Sequence, residues 1–188
     1  FSLQHAIGYG PEYSQLPVVA DYYFAYSKNN CDTLSKMGVS EDCILFTGAP
    51  EKGGYEDLEN STSSRYSIRK SLGINGDEKV ILLGLKSCEE SVLEFQLRDN
   101  VELLRTVAEI FCDISGWFAL VRRHPRDKSK RNFFLERIFD GVNLQFNFVD
   151  VRHSIEHYLL ASDYFIQFLS GATIEAMECD VPTCAIYR

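Results

Sequence analysis

The chain has 188 residues, of which 45% are hydrophobic and 24% are charged. These fractions are ordinary for a soluble globular protein, and they exclude a largely disordered chain and a membrane-embedded one. The net charge of -8 argues against a nucleic-acid partner, because a protein that binds the phosphate backbone needs a basic surface.

Residues 1–50 contain the first predicted strand–helix–strand unit. An aromatic strand at 20–27 precedes a helix around 33–38 and a second strand at 43–48. Ser27 or Asn29 can cap this helix, and Gly38 can end it. Residues 51–75 are rich in glycine, serine, asparagine and charge, with one short helix expected at 67–72. They predict a linker between two domains.

Residues 76–188 predict a second domain in which strands and helices alternate. The expected strands are 79–85, 117–121, 142–149, 163–169 and 182–187, and the expected helices are 101–114, 133–139, 155–160 and 171–179. This alternation predicts an α/β fold, a Rossmann-like parallel sheet with helices on both faces.

The cysteines and the N-terminal residues indicate the cellular compartment of the protein. The sequence has six cysteines and no CxxC pair, which favours buried free thiols in a reducing compartment. No apolar run is long enough to span a membrane, and no signal-peptide pattern is present. We therefore expect a cytoplasmic protein, and we expect the chain to be part of a longer one.

The turn after the 163–169 strand is the first candidate binding site, because ligands of parallel sheets bind beyond the carboxyl ends of strands. Ser170-Gly171 leads into a helix that contains Thr173 and Glu175. The N–H groups at a helix start attract an anion such as a diphosphate, and Glu175 can accept hydrogen bonds from ribose hydroxyls. The alternative is a plain helix cap at Ser170 and an ordinary first-turn carboxylate at Glu175.

Two histidines are further candidates. His124-Pro125 ends the 117–121 strand behind Arg122 and Arg123, where His124 can donate to a phosphate or a leaving-group oxygen. His5 precedes a glycine-rich loop and can act as a base. The alternatives are a turn histidine bonded to backbone at His124 and a solvated terminal histidine at His5.

A zinc-peptidase pattern, HxxEH, is present at His153, Glu156 and His157. Such a site needs one more carboxylate from a later helix, and the short remainder of the chain is mostly taken up by the predicted strands and the Ser170-Gly171 turn. The pattern therefore indicates an amphipathic helix on the sheet, and we expect no metal site.

Short motifs along almost the whole chain occur in the order found in one known group: Gln4-His5, the 20–27 strand, Lys36-Met37-Gly38-Val39, Thr47-Gly48-Ala49-Pro50, Arg123-His124-Pro125, Ala161-Ser162-Asp163 and residues 170–176. They resemble the superfamily of GT-B glycosyltransferases and UDP-N-acetylglucosamine 2-epimerases, nearest the capsule polysaccharide and CDP-glycerol glycerophosphotransferase branch. The resemblance implies that residues 1–50 end the acceptor-side Rossmann half. Residues 76–188 would then form most of the C-terminal, donor-binding half.

The resemblance also implies roles for the candidates. His5 resembles the catalytic base, and His124 resembles the histidine near the donor phosphates, with Arg123 beside it. The Ser170, Gly171 and Thr173 turn resembles the phosphate-binding turn, and Glu175 the ribose carboxylate.

The implied function is transfer of a sugar or polyol phosphate from a nucleotide-activated donor to a polysaccharide or lipid-linked acceptor. It would need no cofactor and no metal, and it would take place in the cytoplasm or peripherally at the inner membrane. The alternatives are epimerisation of a UDP-sugar, a noncatalytic nucleotide-binding module, and the zinc hydrolase.

Overall fold

A computed structural model describes residues 2–3, 21–48, 62–74, 76–87, 93–125, 127, 133–168 and 170–186. The chain divides into two compact units, Phe1–Gly54 and Tyr55–Arg188. His5 lies outside the described residues, so its predicted role as a base stays a prediction. No helix in the described part of the chain has both the length and the apolar composition needed to cross a bilayer.

The first unit contains a small parallel sheet. Its elements are β1 (Ser2–Leu3), β2 (Tyr23–Ala25), α1 (Lys28–Lys36) and β3 (Ile44–Phe46), and the strand order is β1-β2-β3. The predicted strand–helix–strand unit is therefore present. Of the two predicted caps, Ser27 is the one that caps α1, since its hydroxyl accepts the Asn30 N–H at 3.2 Å. Gly38, with a φ of 93°, follows its end.

The second unit contains the larger sheet. Its elements are α2 (Thr62–Ser71), β4 (Lys79–Gly84), α3 (Leu93–Phe111), β5 (Trp117–Arg122), α4 (Phe133–Glu136), β6 (Gln145–Val149), α5 (Ile155–Ala161), β7 (Tyr164–Phe168), α6 (Ala172–Glu178) and β8 (Thr183–Ile186). The strand order is β6-β5-β4-β7-β8, and every pairing is parallel. The order reverses between β4 and β7, which makes this pair the topological switch point of the sheet.

Both faces of the second sheet are buried. On one face, Val80 and Leu82 of β4 pack in a cluster with Leu159 of α5, Ala176 of α6 and Ile68 of α2. On the other face, Ile81, Leu83 and Val121 pack with Leu104 and Val107 of α3. A strand buried on both faces reads as a continuous apolar run, which is how β4 was predicted. The predicted Rossmann-like sheet with helices on both faces is confirmed.

Two details differ from the sequence expectations. Helix α2 begins earlier than the helix expected at 67–72, and it packs on the second unit through Ile68. Among the described cysteines, Cys112 and Cys184 are exposed, so the expectation of buried thiols is wrong for these two. Cys112 follows the end of α3, and Cys184 lies on β8 at the edge of the sheet, positions that the sheet and helices do not cover.

One carboxylate ties α2 to the sheet. Asp163, just before β7, accepts hydrogen bonds from Arg65 at 2.9 Å, from Arg69 at 2.8 Å and from the Val80 N–H at 2.7 Å. The same arginines donate to the backbone carbonyls of Leu160, Ala161 and Ser162 at the end of α5. Asp163 thus links α2, α5 and the starts of β4 and β7.

We expect Asp163→Asn to lower the free energy of unfolding by about 2–3 kcal/mol, because it leaves largely buried Arg69 without its counter-charge. Urea unfolding followed by circular dichroism measures the change. Asp140→Asn is the matched control: its ion pair with Arg137 is exposed, and its loss should cost less than about 0.5 kcal/mol. Equal effects of the two substitutions would contradict this account of Asp163.

Candidate functional site

The carboxyl edge of the second sheet carries a row of five residues in register. From β6 to β8 they are Val149, Arg122, Gly84, Gln167 and Ala185. Residues in register project to the same face of a sheet, here the face that carries α5 and α6. Two polar side chains therefore flank a glycine at the end of the central strand, next to the strand-to-helix turns.

Gly84 allows a close approach at this row. A Cβ atom built on Gly84 would lie 3.1 Å from the Phe165 ring and 3.3 Å from the Cβ of Gln167. Both neighbours are buried, so neither can move aside easily. The glycine thus permits the Gln167 side chain to lie close against the central strand.

Arg122 places a positive charge on this face. Burial lowers the pKa of its guanidinium, and nearby Tyr158, Glu156 and Glu175 act in the opposite direction. One of its amino groups donates to the His153 carbonyl at 3.4 Å, and its buried Nε has no hydrogen-bond partner in the part of the chain described. Arg122 is therefore the β5 residue that interacts electrostatically with Glu175 on α6.

The turn after β7 is built on Gln167. The Gln167 Nε2 donates to Thr173 Oγ1 at 2.5 Å, and the Ser170 hydroxyl donates to Gln167 Oε1. Ser170 Oγ also accepts the Ala172 N–H at 3.3 Å, as a capping residue does, while Gly171 occupies the cap position of α6. The structure thus brings Ser170, Gly171 and Thr173 together, with Glu175 one turn further along α6.

Arg123 and His124 follow β5. The Arg123 guanidinium lies 4.9 Å above the Phe148 ring, and its Nη2 is 3.5 Å from Glu136. The His124 carbonyl accepts the Asp127 N–H at 2.9 Å, which closes a turn. Strand β4 separates β5 from β7, so at a spacing of about 4.8 Å between strands this turn lies roughly 10 Å from the Ser170 turn.

Lys86 is a polar residue at the switch point that the sequence analysis did not single out. Its ammonium group lies 2.6 Å from Asp99 and 4.4 Å from the centre of the Phe168 ring. The buried Asn100 side chain accepts the Lys86 N–H at 2.8 Å and donates to the Lys86 carbonyl at 3.0 Å. The signal that could have found it was a lysine directly after the apolar run 80–85. Its partners on α3 give no pattern by themselves.

No protein-family model and no curated protein sequence matches the chain. Solved structures do resemble it. The UDP-GlcNAc 2-epimerase from Neisseria meningitidis bound to UDP-GlcNAc has a TM-score of 0.64 at 15% identity, over 92% of this chain and 48% of that one. A glycosyltransferase from Rickettsia africae has a TM-score of 0.63 at 14% identity, over 97% and 50%. The wall teichoic acid polymerase TagF has a TM-score of 0.51 at 17% identity, over 87% and 38%.

The chain therefore spans half the length of these structures or less. At such identities the likeness shows the fold alone. The resemblance to the GT-B superfamily that the sequence motifs predicted is thus confirmed at the level of fold.

The HxxEH histidines form a separate cluster beside β6. The rings of His153 and His157 stack with centroids 4.8 Å apart, next to a cavity of about 360 Å³ that Asn147, Asp150 and Tyr158 also line. In the described ranges, no group of three or more histidine, cysteine, aspartate or glutamate side chains is placed to hold a metal ion. Burial, followed by the nearby His153, lowers the pKa of His157 below its ordinary value of 6.5.

This shift predicts a pH dependence of stability. Because His157 has a lower pKa in the folded state, the unfolded chain binds more protons just below pH 6.5, and stability falls as the pH drops through that range. We expect the fall between about pH 7 and pH 5 to be smaller in His157→Gln, as measured by urea unfolding at each pH. His153→Gln should keep most of this fall in stability, because burial lowers the pKa of His157 more than the nearby His153 does. The same pH profile for His157→Gln and the unsubstituted chain would contradict the assignment.

Proposed function

We propose that this chain is the donor-binding part of a GT-B-type transferase, which moves a sugar or polyol phosphate from a nucleotide-activated donor to a surface polysaccharide or lipid-linked acceptor. One observation carries the proposal. The switch point of the second sheet is lined by Lys86 on one side and by the Ser170–Thr173 turn on the other. Ligands of open parallel sheets bind at this place.

The charges at this edge suit a phosphate. The chain carries a net charge of -8, so a phosphate must be attracted by local cations. Lys86 is held in position by Asp99 and Asn100, and a cation fixed before the ligand arrives loses little entropy on binding. The turn after β7 leads into α6, and the backbone N–H groups at the start of a helix attract an anion. Together they favour a diphosphate at the switch point.

The remaining roles follow the sequence analysis. His124, beside Arg123, would donate to the donor phosphates or the leaving oxygen, and Glu175 would accept from the ribose hydroxyls. His5 would deprotonate the acceptor. We place the reaction in the cytoplasm, with the protein at most peripheral at the membrane. The chemistry needs positioning and charge stabilisation from these side chains, and we propose no metal and no separate cofactor.

Epimerisation is the second candidate, because the N. meningitidis structure is an epimerase with UDP-GlcNAc bound and has a TM-score of 0.64. Incubation with UDP-GlcNAc alone, followed by product analysis, separates the two activities. An epimerised UDP-sugar formed without an acceptor would favour the epimerase. Product formation that requires an added acceptor would favour the transferase.

The nucleotide site predicts a specific binding pattern. We expect UDP or CDP to raise the thermal unfolding midpoint of the chain, since a ligand at 100 times its Kd adds about 2.7 kcal/mol of stability. Lys86→Met should weaken nucleotide binding about tenfold, the effect of losing one charge-assisted contact. Thermal unfolding followed by fluorescence measures the midpoint with UDP, CDP and GDP, and titration calorimetry with the same nucleotides measures the affinity.

Lys70→Met is the matched control, because Lys70 is exposed on α2, away from the switch point. It should bind nucleotide as the unsubstituted chain does. If the chain binds none of the three nucleotides, the proposed function is contradicted. Binding that Lys86→Met leaves unchanged would place the nucleotide elsewhere.

A further inference from the structure

The side chain of Gln167 is an unusual feature of β7, because it is a neutral amide with only 1% exposure in a strand surrounded by apolar residues. A buried amide without hydrogen bonds is costly, so its partners decide whether it is tolerated. Both of its polar atoms are used, and both partners belong to the turn that begins two residues after the strand ends.

The hydrogen-bond directions in this network determine one another. Gln167 Nε2 can only donate, so Thr173 Oγ1 accepts there and sends its own proton to the Ser170 carbonyl at 3.0 Å. Gln167 Oε1 can only accept, so the Ser170 proton points to it, and Ser170 Oγ accepts the Ala172 N–H. The protons of both hydroxyls are therefore used within the turn.

The central strand leaves room for the Gln167 side chain. Its register partner Gly84 has no side chain, and a Cβ atom there would lie 3.3 Å from the Gln167 Cβ. The glycine thus permits the close approach of Gln167, and the Gln167 amide bonds the two hydroxyls of the turn. An apolar residue at 167 would fill the same space and leave the turn without these two anchors.

We propose that Gln167 is a positioning residue of the nucleotide site: through Ser170 and Thr173 it holds the backbone of the turn in place, and it does not contact the ligand. This assignment rests on the proposed function. It predicts that the amide matters for nucleotide affinity only while both hydroxyls are present.

A double-mutant cycle tests the assignment in the full chain, with UDP and CDP as probes. We expect Gln167→Met, which keeps the volume and removes both hydrogen bonds, to raise the Kd about tenfold. In a Ser170→Ala/Thr173→Val background the same change should alter the Kd less than about twofold. If Gln167→Met folds poorly, Gln167→Glu replaces it, because it keeps the acceptor for Ser170. Its Kd should lie between that of the unsubstituted chain and the tenfold higher value expected for Gln167→Met.

The controls separate positioning from stability. Gln145→Met, on the exposed side of β6, should leave the Kd unchanged. In the Ser170→Ala/Thr173→Val background, Gln167→Met should raise the unfolding midpoint, because it removes an amide that has lost both partners.

Three results would decide against the assignment or its basis. A lower unfolding midpoint for Gln167→Met with an unchanged Kd would overturn the positioning role and leave the proposed function standing. Equal losses of affinity in both backgrounds would show that Gln167 does not act through the hydroxyls. Failure of the unsubstituted chain to bind UDP, CDP and GDP alike would overturn the proposed function, and the Gln167 assignment with it.

Discussion

The carboxylate of Asp163 is shared between the Val80 N–H at the start of β4 and two arginines of α2. It lies at the amino end of the sheet, and its bond to Val80 aligns the two strands that form the switch point. Their register then runs from Ile81 opposite Tyr164 to Gly84 opposite Gln167. A shift by one residue would turn Gln167 to the other face, so the candidate site depends on an interaction at the opposite end of the strands.

The same alternation explains how a cluster of cations in the sequence is divided in space. Arg122 and Arg123 are adjacent in the chain, yet successive strand residues point to opposite faces. Arg122 extends toward α5 and Glu175, while Arg123 lies over Phe148. The charge that the sequence places at one point is therefore distributed over both faces of the sheet, and only Arg122 shares a face with Gln167.

Much of this architecture was predictable because buried strands and helices have characteristic hydrophobic patterns in the sequence. β4 and β5 read as continuous apolar runs, and α3 shows helical spacing. Helix α2 was only partly predicted, since its attachment depends on Arg65 and Arg69, whose partners lie more than 90 positions away. Gln167 and Lys86 were missed for a related reason. A single polar residue at a strand end is not part of a hydrophobic periodicity. Its role depends on contacts that form only when the strands pair.

The distance between the two predicted turns constrains the ligand. His124 and Ser170 follow strands that are separated by β4, so a ligand that touches both must extend across the end of the central strand. A single phosphate cannot do this over roughly 10 Å, whereas an extended molecule with two linked phosphates and a further group can. Gly84 ends that central strand without a side chain, and Lys86 follows it on the side of Phe168. The space between the two turns thus has a small residue below it and Lys86, paired with Asp99, beside it, which agrees with the extended donor proposed above.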